Sequence, residues 1–138
     1  MNLQNKKIQL KTCIHLAEVM APFFAPFVEI LITDLQHKKY PIVKIYNSQV
    51  SGRKEGDSNH VLSYLKGLSK NQIKPIISTW VAPNGNKLKN VIQILFDENE
   101  KPSYAFSINQ NVAVVEDAVK LMTQILHYEP PEKTEGVK

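Results

Sequence analysis

Asn84-Gly85, set between two apolar runs, narrows what this chain can fold into more than any other feature. "PIISTWVAP" (75–83) leads into "NGN" (84–86), and "KLKNVIQILFD" (87–97) leads out of it. Asn-Gly accepts the left-handed backbone of a tight β-turn, so the second run folds back antiparallel on the first. In the return run Leu88, Ile92, Ile94 and Phe96 are in phase. "DENEKP" then turns the chain into "SYAFSIN" (103–109), which predicts a three-stranded meander.

The N-terminal half supplies a second hairpin. "FVEILITDL" (27–35) carries Val28, Ile30 and Ile32 in step, and after the polar turn "QHKKY" the run "PIVKIYN" (41–47) carries Val43 and Ile45. Two alternating runs joined by a short turn pair antiparallel. Between hairpin and meander, Asp57, Ser58 and Asn59 offer caps for a short helix over "HVLSYLK" that Gly67 can end.

Helices flank these strands. Leu10, Ile14, Ala17 and Ala21 recur at helical spacing over residues 8 to about 20, and Pro22 is expected to end or kink that helix. Val112, Val115, Val119, Met122 and Leu126 step by three and four over residues 112 to 128. The proline-rich, charged tail from 129 to 138 is expected to be disordered, leaving one domain over residues 1–128. The order reads α+β: a five-stranded, mostly antiparallel sheet with a short helical crossover and a flanking helix at each end.

Composition and motifs exclude several functions. No apolar run reaches membrane-span length, because Pro22, Pro26 and Glu29 break the richest stretch, and a cytoplasmic protein is the default. Cys13 is the single cysteine, so no internal disulfide forms. The four histidines, His15, His37, His60 and His127, make no metal-ligand spacing with it, and no cofactor is implied. Residues 1–95 hold thirteen basic and five acidic side chains, and residues 96–138 four and eight. The lysines are nonetheless scattered in pairs, as on a solvated surface, where a nucleic-acid binder concentrates them. "GRKEG" (52–56) lacks the length and the Lys-Ser/Thr of a nucleotide-binding loop, and no nucleophile elbow is present. No enzymatic constellation emerges.

"PIVKIYNSQVSGRKEGDS" (41–58) resembles the signature of YheO-like PAS domains, the sensor halves of bacterial transcription regulators of the YheO/DauR type. "TDL" (33–35) stands where the family has a strand end, and Asn47, Val50, Gly52, Arg53, Gly56 and Asp57 match the loop. A further block matches at Asn84-Gly85, Leu88, Phe96, Asp97-Glu98, Pro102, Ile108 and Asn109, so the likeness spans roughly residues 10 to 125. Departures are Thr33 for a histidine, Ser48 and Tyr104 for glycines, Ser107 for a cysteine and Asn111 for an aspartate. The resemblance implies a PAS-type sensor of a small polar or anionic metabolite, signalling through terminal helices that form a homodimer. The family's helix-turn-helix domain is not among these residues, so direct DNA binding is not expected of them. The alternative is a ligand-free PAS module for protein interaction or dimerisation, which bulky Tyr104 favours if its ring fills space near the last strand.

Four residues are candidate ligand contacts: Asp34, Asn47, Arg53 and Asn109. Asp34 and Asn47 stand in step with apolar neighbours, and buried polar groups demand partners. Each either locks the "SGRKEGD" loop or fixes a ligand. At about 3.3 Å per residue, they lie too far apart along the hairpin to share one small molecule. Arg53, the only arginine, offers a planar fork for a carboxylate or phosphate, or else pairs with Asp34 or Asp57. Asn109 ends a small polar face with Ala105 and Ser107 that lines either a cavity or the exposed side. Trp80, on the same face as Ser78, is expected in the core.

Overall fold

The computed structural model describes residues 2–59 and 74–131. The chain runs through helix α1 (Leu3–Phe24), strands β1 (Val28–Asp34) and β2 (Ile42–Tyr46), and a 3-10 turn (Ser48–Val50). Strands β3 (Ile76–Val81), β4 (Lys87–Phe96) and β5 (Pro102–Asn111) follow, then helix α2 (Val112–Leu126). The sheet order is β2-β1-β5-β4-β3, with every pairing antiparallel. The first and last strands therefore lie side by side at the centre. The expected crossover helix over 60–66 falls outside the described residues, as does the tail from 132 to 138; residues 129–131 form neither helix nor strand.

Helix α1 is longer at both ends than its apolar spacing predicts. The Asn2 side chain accepts from the amides of Gln4 and Asn5 and so starts the helix early. Pro22 lies inside it, and the break comes instead at Ala25, which is extended ahead of Pro26. Ala17 and Ala21 are small enough to bring α1 close to Ile30, while Cys13 meets Ile32 and Tyr104. Leu10, Ile14, Met20, Phe24, Val43, Phe106 and Ile108 complete this layer.

The loop after β2 runs back along the edge of the sheet. Ile42 donates to the Asp57 carbonyl, Gly56 to that of Ile42 and Asn59 to that of Tyr40, each at 2.8 Å. These bonds cover an edge that would otherwise present free amides and carbonyls. Gly52, at φ +78°, supplies a backbone conformation that side chains resist. Helix α2 leaves the sheet with no buried residue, held near β4 by an ion pair of 3.3 Å between Lys87 and Glu116. Among the described residues no helix is long and apolar enough to cross a membrane.

Candidate functional site

Strand pairing lays out the face of the sheet away from α1 as rows. Glu29 of β1 opposes Asn109 of β5, which opposes Asn90 of β4, which opposes Ser78 of β3. The next row is Leu31, Ser107, Ile92 and Ile76, and the third is Thr33, Ala105 and Ile94. A polar row thus gives way to an apolar one, with Ser107 between them. Glu29, Thr33, Ser107 and Asn109 are all at most 2% exposed.

The polar row is one chain of hydrogen bonds directed at a carboxylate. Ser78 Oγ donates to Asn90 Oδ1 (3.5 Å), Asn90 Nδ2 to Asn109 Oδ1, and Asn109 Nδ2 to Glu29 Oε1 (2.8 Å). Donors in series polarise one another where water is excluded.

The loop completes the cluster from the other side. Ser51 donates its hydroxyl to Glu29 Oε2 at 2.6 Å and its amide at 3.2 Å. Arg53 pairs with Glu29 Oε1 at 3.5 Å, gives Nε to Ser51 Oγ and Nη1 to Asn59 Oδ1, and lies 4.7 Å over the Trp80 ring. Asn59 in turn donates to Thr33 Oγ1 at 3.1 Å. Burial pulls the Arg53 guanidinium below its ordinary value, and the Glu29 carboxylate opposes that pull. Trp80 is half-buried beside Val50, Ala82 and Leu88, a core residue that also forms the floor under Arg53.

Of the four residues singled out by sequence, Arg53 and Asn109 meet in this cluster. Asp34 does not. It lies at the far end of β1 on the α1 face, where both carboxylate oxygens accept from Lys6 Nζ at 3.1 Å and Oδ1 also accepts the Gln36 amide. Asn47 adopts a left-handed backbone (φ 57°) and donates to the carbonyls of Ala21 and Val28, tying the end of α1 to the start of β1. Both work as fasteners of the fold. The partner of Arg53 is Glu29 rather than Asp34 or Asp57; Asp57 closes its own turn on the Lys54 amide.

Glu29 is the residue that reasoning by alternation passed over. It stands out of phase with Val28 and Ile30, and in a central strand the opposite phase is buried as well. Asn59 reads in the sequence as a helix cap, and nothing local marks Asn90, since only the pairing register brings Asn90 beside Asn109. Tyr104 points to the α1 side, against Cys13 and Ile32, so its ring occupies none of the space on the polar face. Among the described residues no cluster of His, Cys, Asp and Glu is suited to a metal ion.

Comparison with known proteins places this geometry. The chain matches an RNA-binding light-oxygen-voltage receptor with a TM-score of 0.52 at 11% identity, over 81% of this chain and 36% of that one. It thus spans about a third of that receptor's length, and the likeness is one of fold. A light-oxygen-voltage domain studied with a flavin analogue matches at 0.48 and 16% identity, over 78% of this chain and 93% of that one. The PAS domain of a Colwellia psychrerythraea protein matches at 0.46 and 15% identity, over 70% and 95%. No curated protein matches. The family model for the YheO-like PAS domain aligns with residues 4–127, most of the sequence, and this chain therefore belongs to the YheO-like PAS domain family.

Proposed function

We propose that this chain is a non-enzymatic sensor domain that takes a small polar molecule on the face bearing Glu29, Arg53, Asn90 and Asn109. It works as a cytoplasmic homodimer in transcriptional regulation and relays occupancy to α1 and α2. One observation carries this reading: a row of polar side chains, Glu29, Asn109 and Asn90, buried across three adjacent strands, where a domain built only for stability would use apolar ones. The relay has a short path. Asn109 lies two residues before the end of β5, Glu29 one residue inside β1, and the Asn111 amide donates to the Phe27 carbonyl where α1 and α2 join the sheet. A ligand that prefers one setting of this junction shifts the population of the helices.

A ligand-free interaction module is the second reading. It is favoured by the internal pairing of Arg53 and Glu29 and by the apolar residues bare on α2. Native mass spectrometry of gently purified protein, followed by a thermal-shift panel of small polar molecules, separates the two. The sensor predicts a dimer with an added small-molecule mass, or saturable stabilisation by a member of the panel. Bare protein that no compound stabilises would transfer the assignment to the interaction module.

A further inference from the structure

Ser107 Oγ is buried and has no hydrogen-bond partner. It faces the same side as Asn109, two residues along β5, and as Ile92 opposite it on β4. A buried hydroxyl without a partner is uncommon enough to need a reason. Its neighbours also have hydrogens to spare. Each carboxamide has two donors, and Asn90 and Asn109 each spend one, on Asn109 and on Glu29. Beside Ser107 the unfilled capacity is that of donors, while two residues beyond Asn109 on β5 the Asn111 Oδ1 is a buried acceptor that also lacks a partner.

Charge is already balanced there. Arg53 is matched by Glu29, whose two oxygens accept from Ser51 twice, from Asn109 and from Arg53. Among the described residues, an incoming anion finds no free cation in the cluster, and an incoming cation finds no free carboxylate. Either leaves an unmatched charge out of water, which is costly. Beyond Ser107 the same face continues as a buried apolar cluster of Ile92, Ile94 and Ala105, against which Leu35, Ile76 and Phe96 pack.

We propose that the ligand is an uncharged carbonyl compound, such as an amide, lactam or ketone, on a compact apolar body. Its oxygen is bound by Ser107 and the spare amide hydrogens of Asn90 and Asn109, and its body lies over Ile92 and Ala105. This rests on the sensor reading and narrows it, replacing the anion that a lone arginine suggests with a neutral molecule.

The test uses matched pairs on the whole chain by NMR titration: benzamide with benzoate, isobutyramide with isobutyrate, and δ-valerolactam with valerate. At least one neutral member is expected to bind saturably, about tenfold or more tighter than its carboxylate, and Ser107→Ala to weaken it by about tenfold. Unliganded Ser107→Ala is expected to melt at or above the wild-type temperature, because it removes a polar group that lacks a partner. A carboxylate that outbinds its neutral mate, an affinity untouched by Ser107→Ala, or a clear drop in unliganded melting temperature overturns the assignment and leaves the sensor reading standing. Failure of all six compounds does the same if the wider panel holds a binder. If that panel is also empty, both readings fall.

Discussion

Glu29 shows how much one side chain can organise. Its carboxylate is fully buried and takes four hydrogen bonds or ion pairs from β5 and the loop after β2. Glu29→Leu leaves Arg53 buried without its counter-charge, and breaking a buried pair in this way costs about 3–5 kcal/mol. The double change Glu29→Leu, Arg53→Met is expected to recover only part of that loss, since Ser51 and Asn109 still point at the missing oxygens. Urea denaturation measures both; a single-variant loss below about 1 kcal/mol would refute the organising role. Tyr104 gives a pH-dependent outcome. Burial, with Asp34 nearby, pushes its phenol up to about 12 from an ordinary value of 10. The folded chain keeps that proton where the unfolded chain loses it, so this contribution to stability is whole below pH 10 and fades as pH rises through about 12. Tyr104→Phe should shrink that late step in the near-ultraviolet phenolate titration, leaving the part due to Tyr46, which burial and Glu18 also push up to about 12; an unchanged titration would contradict it. At this scale the sequence was half legible. Arg53 stood out by rarity, but Glu29 looked like an interruption because alternation was judged from one face of a strand that is buried on both.

At the scale of elements, the Asn-Gly hairpin does more than reverse the chain. Asn84 Nδ2 donates to the carbonyls of Gln49 and Val50, and Asn86 Nδ2 also reaches Val50, so the β3–β4 turn holds down the turn that precedes Arg53. Gly52 sits beneath Asn84: a Cβ there would meet the Asn84 Cβ at 3.2 Å, at φ +78°. Gly56 has a similar φ of +90° but nothing within 4 Å. Gly56→Ala should therefore cost only the backbone contribution of about 1 kcal/mol, and Gly52→Ala measurably more. Equal losses in chemical denaturation would mean that the contact with Asn84 is yielding. Local pattern revealed all five strands and both terminal helices, with ends off by a few residues. Pro22, expected to end or kink α1, does not end it. Pro22 is tolerated within α1, and the chain breaks before Pro26, because the close packing of Ala17 and Ala21 on Ile30 holds the last turn helical. Packing of that kind is invisible in a one-dimensional pattern.

For the whole molecule the salient feature is α2, whose apolar side chains are unburied. Val119 is 58% exposed, Met122 62% and Leu126 78%, on a stripe whose alternating steps of three and four match the seam of a two-stranded coiled coil. If α2 forms the dimer, Val119→Asp with Leu126→Asp should give a monomer in sedimentation velocity. Measured at a concentration where the wild type is monomeric too, unfolding of the sheet should change by less than about 1 kcal/mol, because these positions are exposed in the single chain. A variant that sediments like the wild type would place the seam elsewhere, with the exposed Leu16, Val19 and Phe23 of α1 the next surface to test.

The shared junction of α1 and α2 also has a mechanical consequence. Val28 faces Gln110 at the end of the sheet where both helices attach, and β1 and β5 run antiparallel from that point. A force drawing the two helices apart loads these strands like a zipper pulled at its open end. Rungs yield one after another, not together in shear. Rupture under tension should be soft, and among the first groups to separate are Glu29 and Asn109, so a pull on the helices would dismantle the buried row before it disturbed the rest of the sheet.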